Sequence, residues 1–77
     1  MKRYICHKEV NATPMTRKQY YDFRGWVVPA DENPDDTGYL VEYLDGGKAN
    51  TTKFNGYVSW SPSDVFERGY QECPVAA

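Results

Sequence analysis

The sequence predicts a small α+β domain: a mainly antiparallel sheet of about three strands packed with two short helices, in the order β-α-β-β-α. Three observations carry that reading. Two segments open with helix start signals, at Thr16 and Ser61, and close on a glycine, Gly25 and Gly69. Three stretches, near residues 3–12, 38–44 and 57–61, are rich in β-formers with the two-residue period of a strand. The 77 residues give one domain near the lower size limit for unaided folding. We expect a single domain over 1–70 and a flexible tail over 71–77.

The first stretch, "RYICHKEVNA", puts Tyr4, Cys6 and Val10 on one face of an N-terminal strand. The second, "TPMTRKQYYDFRGW", reads as a helix. The Thr16 hydroxyl can accept from an orphan backbone N–H, Gln19 completes a capping box, and Met15 and Tyr20 have hydrophobic-staple spacing. "VVPADENPDDTG" is a loop, since two prolines, an asparagine and four carboxylates favour neither helix nor strand. In "GYLVEYLDGG", Leu40, Glu42 and Leu44 point one way and Tyr39, Val41 and Tyr43 the other. Both faces carry apolar groups, which marks a central strand pairing with the next in an antiparallel hairpin. "KANTTKFN" is a polar linker ending in the Asn55-Gly56 turn signal. "YVSWS" is the last strand. After it Ser61 caps, Pro62 takes the first helical position, Asp64 closes the box, and Trp60 and Val65 repeat the staple.

The net charge of −2 conceals an asymmetry. Residues 1–24 balance at +4, residues 25–47 at −6, and residues 48–77 at zero. A uniformly basic nucleic-acid binder is disfavoured, although Lys2, Arg3, Lys8, Arg17 and Lys18 form its only basic cluster; the bland reading of that cluster is a solvated face. The acidic middle instead suits a basic surface on a protein partner. No apolar run approaches a membrane span. The first ten residues hold no apolar core of a secretory signal, so a reducing cytosol is the expected compartment and free thiols at Cys6 and Cys73 the expected state. "NAT" at Asn11 and "NTT" at Asn50 match the glycosylation acceptor pattern, which carries no weight in that compartment.

Catalytic chemistry finds little support. His7 is the single histidine, and with Cys6 and Cys73 it falls short of the four nitrogen or sulfur ligands of a closed zinc site; a solvent-facing side chain is the expectation. Asp31, Glu32, Asp35 and Asp36 lie in a proline-rich loop that solvation explains, and their spacing does not match an EF-hand. "YLDGGKAN" lacks phosphate-loop spacing and reads as a turn. We therefore expect no enzyme, no cofactor and no metal.

The twelve aromatics, seven Tyr, two Trp and three Phe, are the unusual feature. Val58, Trp60, Val65 and Phe66, with Tyr20 and Phe23, are the expected core. Tyr21, Trp26, Tyr39, Tyr43 and Tyr57 are the expected exposed remainder, available to an interface.

"PMTRKQYYDFRGW", "PADENPDDTGYLVEYLDGG" and "GYVSWSPSDVFERGY" together resemble a family of small phage and prophage proteins, over about residues 10–70. Some relatives look like an N-terminal module joined to a domain that counteracts the Thoeris defence system. The resemblance implies a phage origin, expression in a host bacterial cytoplasm and a role outside the virion. It implies no catalytic residues. The expected function is then an interaction protein that binds and inhibits or modulates a host bacterial protein, in the transcription machinery or in anti-phage defence. Its expected surface combines Asp31, Glu32, Asp35 and Asp36 with Trp26, Tyr39 and Tyr43. The alternative is a small-ligand or nucleotide-binding anti-defence module using Arg24, Trp26 and Lys48. An exposed edge strand would also suit a homodimer.

Overall fold

The computed structural model describes residues 1–73, and the expected tail over 71–77 lies outside the described residues from residue 74 on. Its elements are β1 (Val10–Pro14), α1 (Arg17–Arg24), β2 (Gly38–Tyr43), β3 (Val58–Pro62) and α2 (Ser63–Gly69). The three strands form one antiparallel sheet in the order β1-β2-β3, with β2 central as its two-sided apolar pattern requires. The α+β class and the order β-α-β-β-α are those the sequence predicts.

Helix α1 has the predicted ends. Thr16 accepts from the Gln19 N–H at 3.2 Å, the Gln19 side chain accepts from the Thr16 N–H at 2.9 Å, and Gly25 closes the helix at φ 76°. A left-handed residue there favours glycine because it has no Cβ to clash. The loop after α1 folds back over its N-terminus, where the Arg17 and Lys18 amides donate to the Asp36 and Pro34 carbonyls. These are orphan donors of the first turn, and the acidic loop places negative charge at the positive end of the helix dipole.

The first strand lies further along than expected. Residues 1–9 have no regular structure, and the pairing begins at Val10, so the face assigned to Tyr4 and Cys6 does not exist. Register explains the difference. Val10 to Pro14 lie opposite Tyr43 to Tyr39, and the Met15 amide continues the ladder by donating to the Gly38 carbonyl at 2.8 Å. By alternation Asn11, Thr13 and Met15 turn their backbone groups toward β2. Pro14 then faces outward, where its missing N–H costs nothing.

The second helix also starts differently. Ser61 belongs to β3, Pro62 is the N-cap residue, and no side chain caps α2. Pairing with β2 as far as Gly38–Pro62 holds Ser61 extended, which overrides the local cap signal. Gly69 is the last helical residue and Tyr70 the C-cap, in extended backbone.

Adjacent residues of β2 point to opposite faces, and each helix takes one. On one side Leu40 and Val58 pack with Tyr20 of α1, surrounded by Met15, Phe23, Phe54 and Trp60. On the other, Tyr39 stacks on Phe66 of α2 at 4.3 Å between ring centroids, and Phe66 stacks on Tyr70 at 4.7 Å. The result is helix, sheet, helix. Tyr20, Leu40, Val41 and Val58 are the buried apolar residues, each worth roughly 1.5–3 kcal/mol of burial. Leu40 and Val41 replace Val65 of the expected core: Val65 is half exposed, because it lies on the outer side of a single-layer helix. Trp60, Phe23 and Phe66 are partly buried rather than enclosed. The Trp60 ring lies across Gly38 and its Nε1 donates to the Met15 carbonyl at 2.7 Å, so a Cβ at residue 38 would overlap it.

Candidate binding groove

The residues expected to form one contact surface are divided between the two faces. Tyr39 turns toward α2, where its hydroxyl donates to Glu67 at 2.7 Å. Tyr43 lies on that side too, 6.0 Å from Tyr57 and below the Lys8 ammonium at 5.3 Å. Trp26 lies on the α1 side, edge-on to Tyr20 and Tyr21. A patch joining Trp26 to Tyr39 and Tyr43 is therefore not formed, since neighbouring strand residues face apart.

The acidic loop is also partly engaged within the chain. Arg17 reaches Glu32 at 3.3 Å and Asp36 at 3.2 Å, and Tyr21 donates to the same Glu32 oxygen at 2.7 Å. That bond holds the Tyr21 hydroxyl above its ordinary pKa, because ionisation would set a phenolate against a carboxylate. The Arg17 guanidinium lies over the Trp60 ring at 4.7 Å, and its Nε is buried without a hydrogen-bond partner among the described residues. Asp31 and Asp35 are exposed and form no ion pair among the described residues. They are the loop carboxylates that no cation among the described residues engages.

A groove of about 460 Å³ opens between α1 and the outer edge of β3. Its α1 wall consists of Arg17, Tyr20, Tyr21 and Arg24, at the i, i+3, i+4, i+7 spacing of one helix face. Trp26 and Tyr57 border it, and both are about half exposed. Arg24 sits 4.4 Å over the Trp26 ring and donates to the Tyr20 hydroxyl at 2.7 Å. No carboxylate pairs with it among the described residues. The alternative ligand set is thus brought together in part. Arg24 and Trp26 meet, whereas Lys48 lines a second groove with Lys8, Tyr43 and Asp45, separated from the first by a wall that includes Tyr57 and Ser59. In that second groove Lys8 pairs with Asp45 at 3.0 Å, which holds the Asp45 carboxyl below its usual pKa.

The basic cluster is dispersed. Arg17 is neutralised, Lys8 pairs with Asp45, and Lys18 pairs with Asp22 at 2.7 Å; Lys2 and Arg3 lie on the irregular N-terminal segment. His7, Cys6 and Cys73 are exposed, both thiols are free, and no group of three metal-ligating side chains converges among the described residues.

In the sequence Asn50 showed only its place in a polar linker and an acceptor pattern that was given no weight; neither pointed to a structural role. Its side-chain amide donates to the Val58 carbonyl at 2.8 Å and accepts from the Val58 N–H at 2.9 Å. One side chain thereby satisfies the outward backbone groups of Val58 as a neighbouring strand would.

Comparison with known proteins finds no family model, no curated protein and no solved structure that matches the chain. No helix among the described residues is long and apolar enough to cross a membrane.

Proposed function

We propose that the chain is a non-catalytic protein-interaction domain that engages its partner through the groove between α1 and β3. The observation that carries this reading is the pair of half-exposed aromatics, Trp26 and Tyr57, on either side of an open groove. Such rings supply large contact area at low entropic cost and anchor protein interfaces. Asp31 and Asp35 add exposed negative charge on the loop that follows Trp26, suited to steering a basic partner surface. The resemblance to phage proteins supports a host bacterial protein as the partner, in the transcription machinery or an anti-phage defence enzyme, met in the host cytoplasm.

The test is capture of the tagged chain's partner from bacterial lysate, beside a Trp26→Ala/Tyr57→Ala variant of equal thermal stability. A stoichiometric protein retained by the native chain and lost by the variant is expected. No partner, or one held equally by both chains, would refute the assignment.

A second reading has its own observation. Arg24 stacked on Trp26 is a platform for an anionic aromatic ligand such as a nucleotide. A thermal shift on nucleotide addition, absent in Trp26→Ala, would favour it over a protein partner.

A further inference from the structure

The outer edge of β3 is closed at two of its positions and open at one. The Tyr43 amide donates to the Tyr57 carbonyl and the Ser63 amide to the Thr37 carbonyl, so the odd-numbered residues of this strand turn their backbone groups toward β2. Val58, Trp60 and Pro62 therefore turn theirs outward. Asn50 satisfies Val58 on both groups. Pro62 has no N–H to offer. What remains is the N–H and C=O of Trp60, and no described residue bonds to either. The groove runs past this residue.

Charge in the groove is equally specific. Of its two guanidiniums, Arg17 already faces two carboxylates. Arg24 faces none, and its planar fork is fixed by the Trp26 ring and the Tyr20 hydroxyl. One preorganised guanidinium matches one carboxylate, with two parallel hydrogen bonds available. A polyphosphate would bring several negative charges beside Glu32 and Asp36 with only this cation to offset them.

We propose that the groove takes an extended peptide segment from the partner, which pairs one residue with the backbone of Trp60 and sets a single Asp or Glu side chain on Arg24. Main-chain pairing at an exposed strand edge supplies register, and the side chains on alternate positions supply selectivity. The single free rung limits pairing to one residue, so affinity depends on the carboxylate and on contact with Trp26 and Tyr57. The outer edge of β1 also has unpaired groups, at Val10 and Ala12, but its side chains include no charged or aromatic group that would select a sequence.

This inference rests on the protein-interaction reading, and the experiment separates the two. Peptides selected on the full chain from a random display library are made with both termini blocked and titrated into the isotope-labelled protein. Selected peptides are expected to share an acidic residue at one fixed position. Its replacement by Asn or Gln weakens binding about tenfold or more, as loss of a charge-assisted bond requires. Arg24→Gln weakens it similarly at unchanged thermal midpoint, and the Trp60 amide gains protection from hydrogen exchange. The peptide-side replacement leaves the protein untouched, so it reads out even if the Arg24 variant is unstable. Selection without an acidic position, or amide shifts centred on Val10 and Ala12 or on Tyr39 and Phe66, would overturn the groove assignment and leave an interaction domain standing. ATP or ADP-ribose shifting the Trp60 and Trp26 signals while no peptide does so would overturn both.

Discussion

Asn50→Ala isolates the contribution of a single side chain to the edge of the sheet. It removes two hydrogen bonds to Val58, of 2.8 and 2.9 Å, both part-buried, and leaves the backbone groups of a buried residue without a partner. At about 1 kcal/mol net for each bond the loss is about 2 kcal/mol, an upper figure because water can reach a strand edge. For a domain this small that lowers the thermal midpoint by roughly 8–16 °C. The companion Asn50→Asp keeps an acceptor for the Val58 N–H but sets a carboxylate against the Val58 carbonyl. The charged form is disfavoured, so the folded-state pKa of that Asp rises above its unfolded value of about 3.9. The stabilising contribution is complete below the unfolded value, where the neutral acid can donate, and disappears as pH rises through the folded value. Thermal melts of the three proteins at neutral and acidic pH are the assay. An Asp variant as stable as the native chain at neutral pH would refute the strand-like role of Asn50.

Two further expectations follow from the packing. Gly38→Ala drives a Cβ into the Trp60 ring and against the Ser61 carbonyl oxygen, neither of which can swing away, so it destabilises by about 1–3 kcal/mol in chemical denaturation; an unchanged midpoint would mean that the Trp60 ring does not lie across this glycine. Tyr39, bonded to Glu67, Tyr21, bonded to Glu32, and Tyr70, raised chiefly by burial, all ionise above the ordinary tyrosine range. A raised folded-state pKa means that their contribution to stability is present below the unfolded value and is lost as pH rises through the folded one. Phenolate absorbance should show late-titrating groups, and Glu67→Gln should shift Tyr39 downward; a Tyr39 that titrates unchanged in that variant would contradict it.

What the sequence conveyed depended on the range of the signal. Helix α1 was legible because Thr16, Gln19 and Gly25 specify its ends within the helix itself. The central place of β2 was legible because Leu40 and Val41 put apolar groups on both faces. The start of β1 was not, because residues 3–9 carry the same β-rich composition as Val10–Pro14 and only pairing with β2 distinguishes them. The Ser61 cap failed for the same reason, outweighed by a ladder formed with residues more than twenty positions away. The candidate groove was legible only in its parts. Trp26 and Arg24 were recognised, but the division of Trp26 from Tyr39, the neutralisation of Glu32 and Asp36 by Arg17, and the strand-like role of Asn50 each depend on which sheet face a loop returns to.

The two helices are not held alike. Helix α1 has a side-chain cap, a buried tyrosine and an acidic loop bonded to its first turn. Helix α2 has no side-chain cap and no buried residue, and it meets the sheet through the ring stack of Tyr39, Phe66 and Tyr70. Such an element opens at a lower free energy than the whole fold. The amides of α2 should accordingly exchange with solvent by local opening while those of β2 wait for global unfolding, and each opening uncovers the Tyr39 ring. The chain is thus a three-stranded platform with one firmly held helix and one loosely held cover, which makes α2 the place where a protease's cut would first be felt.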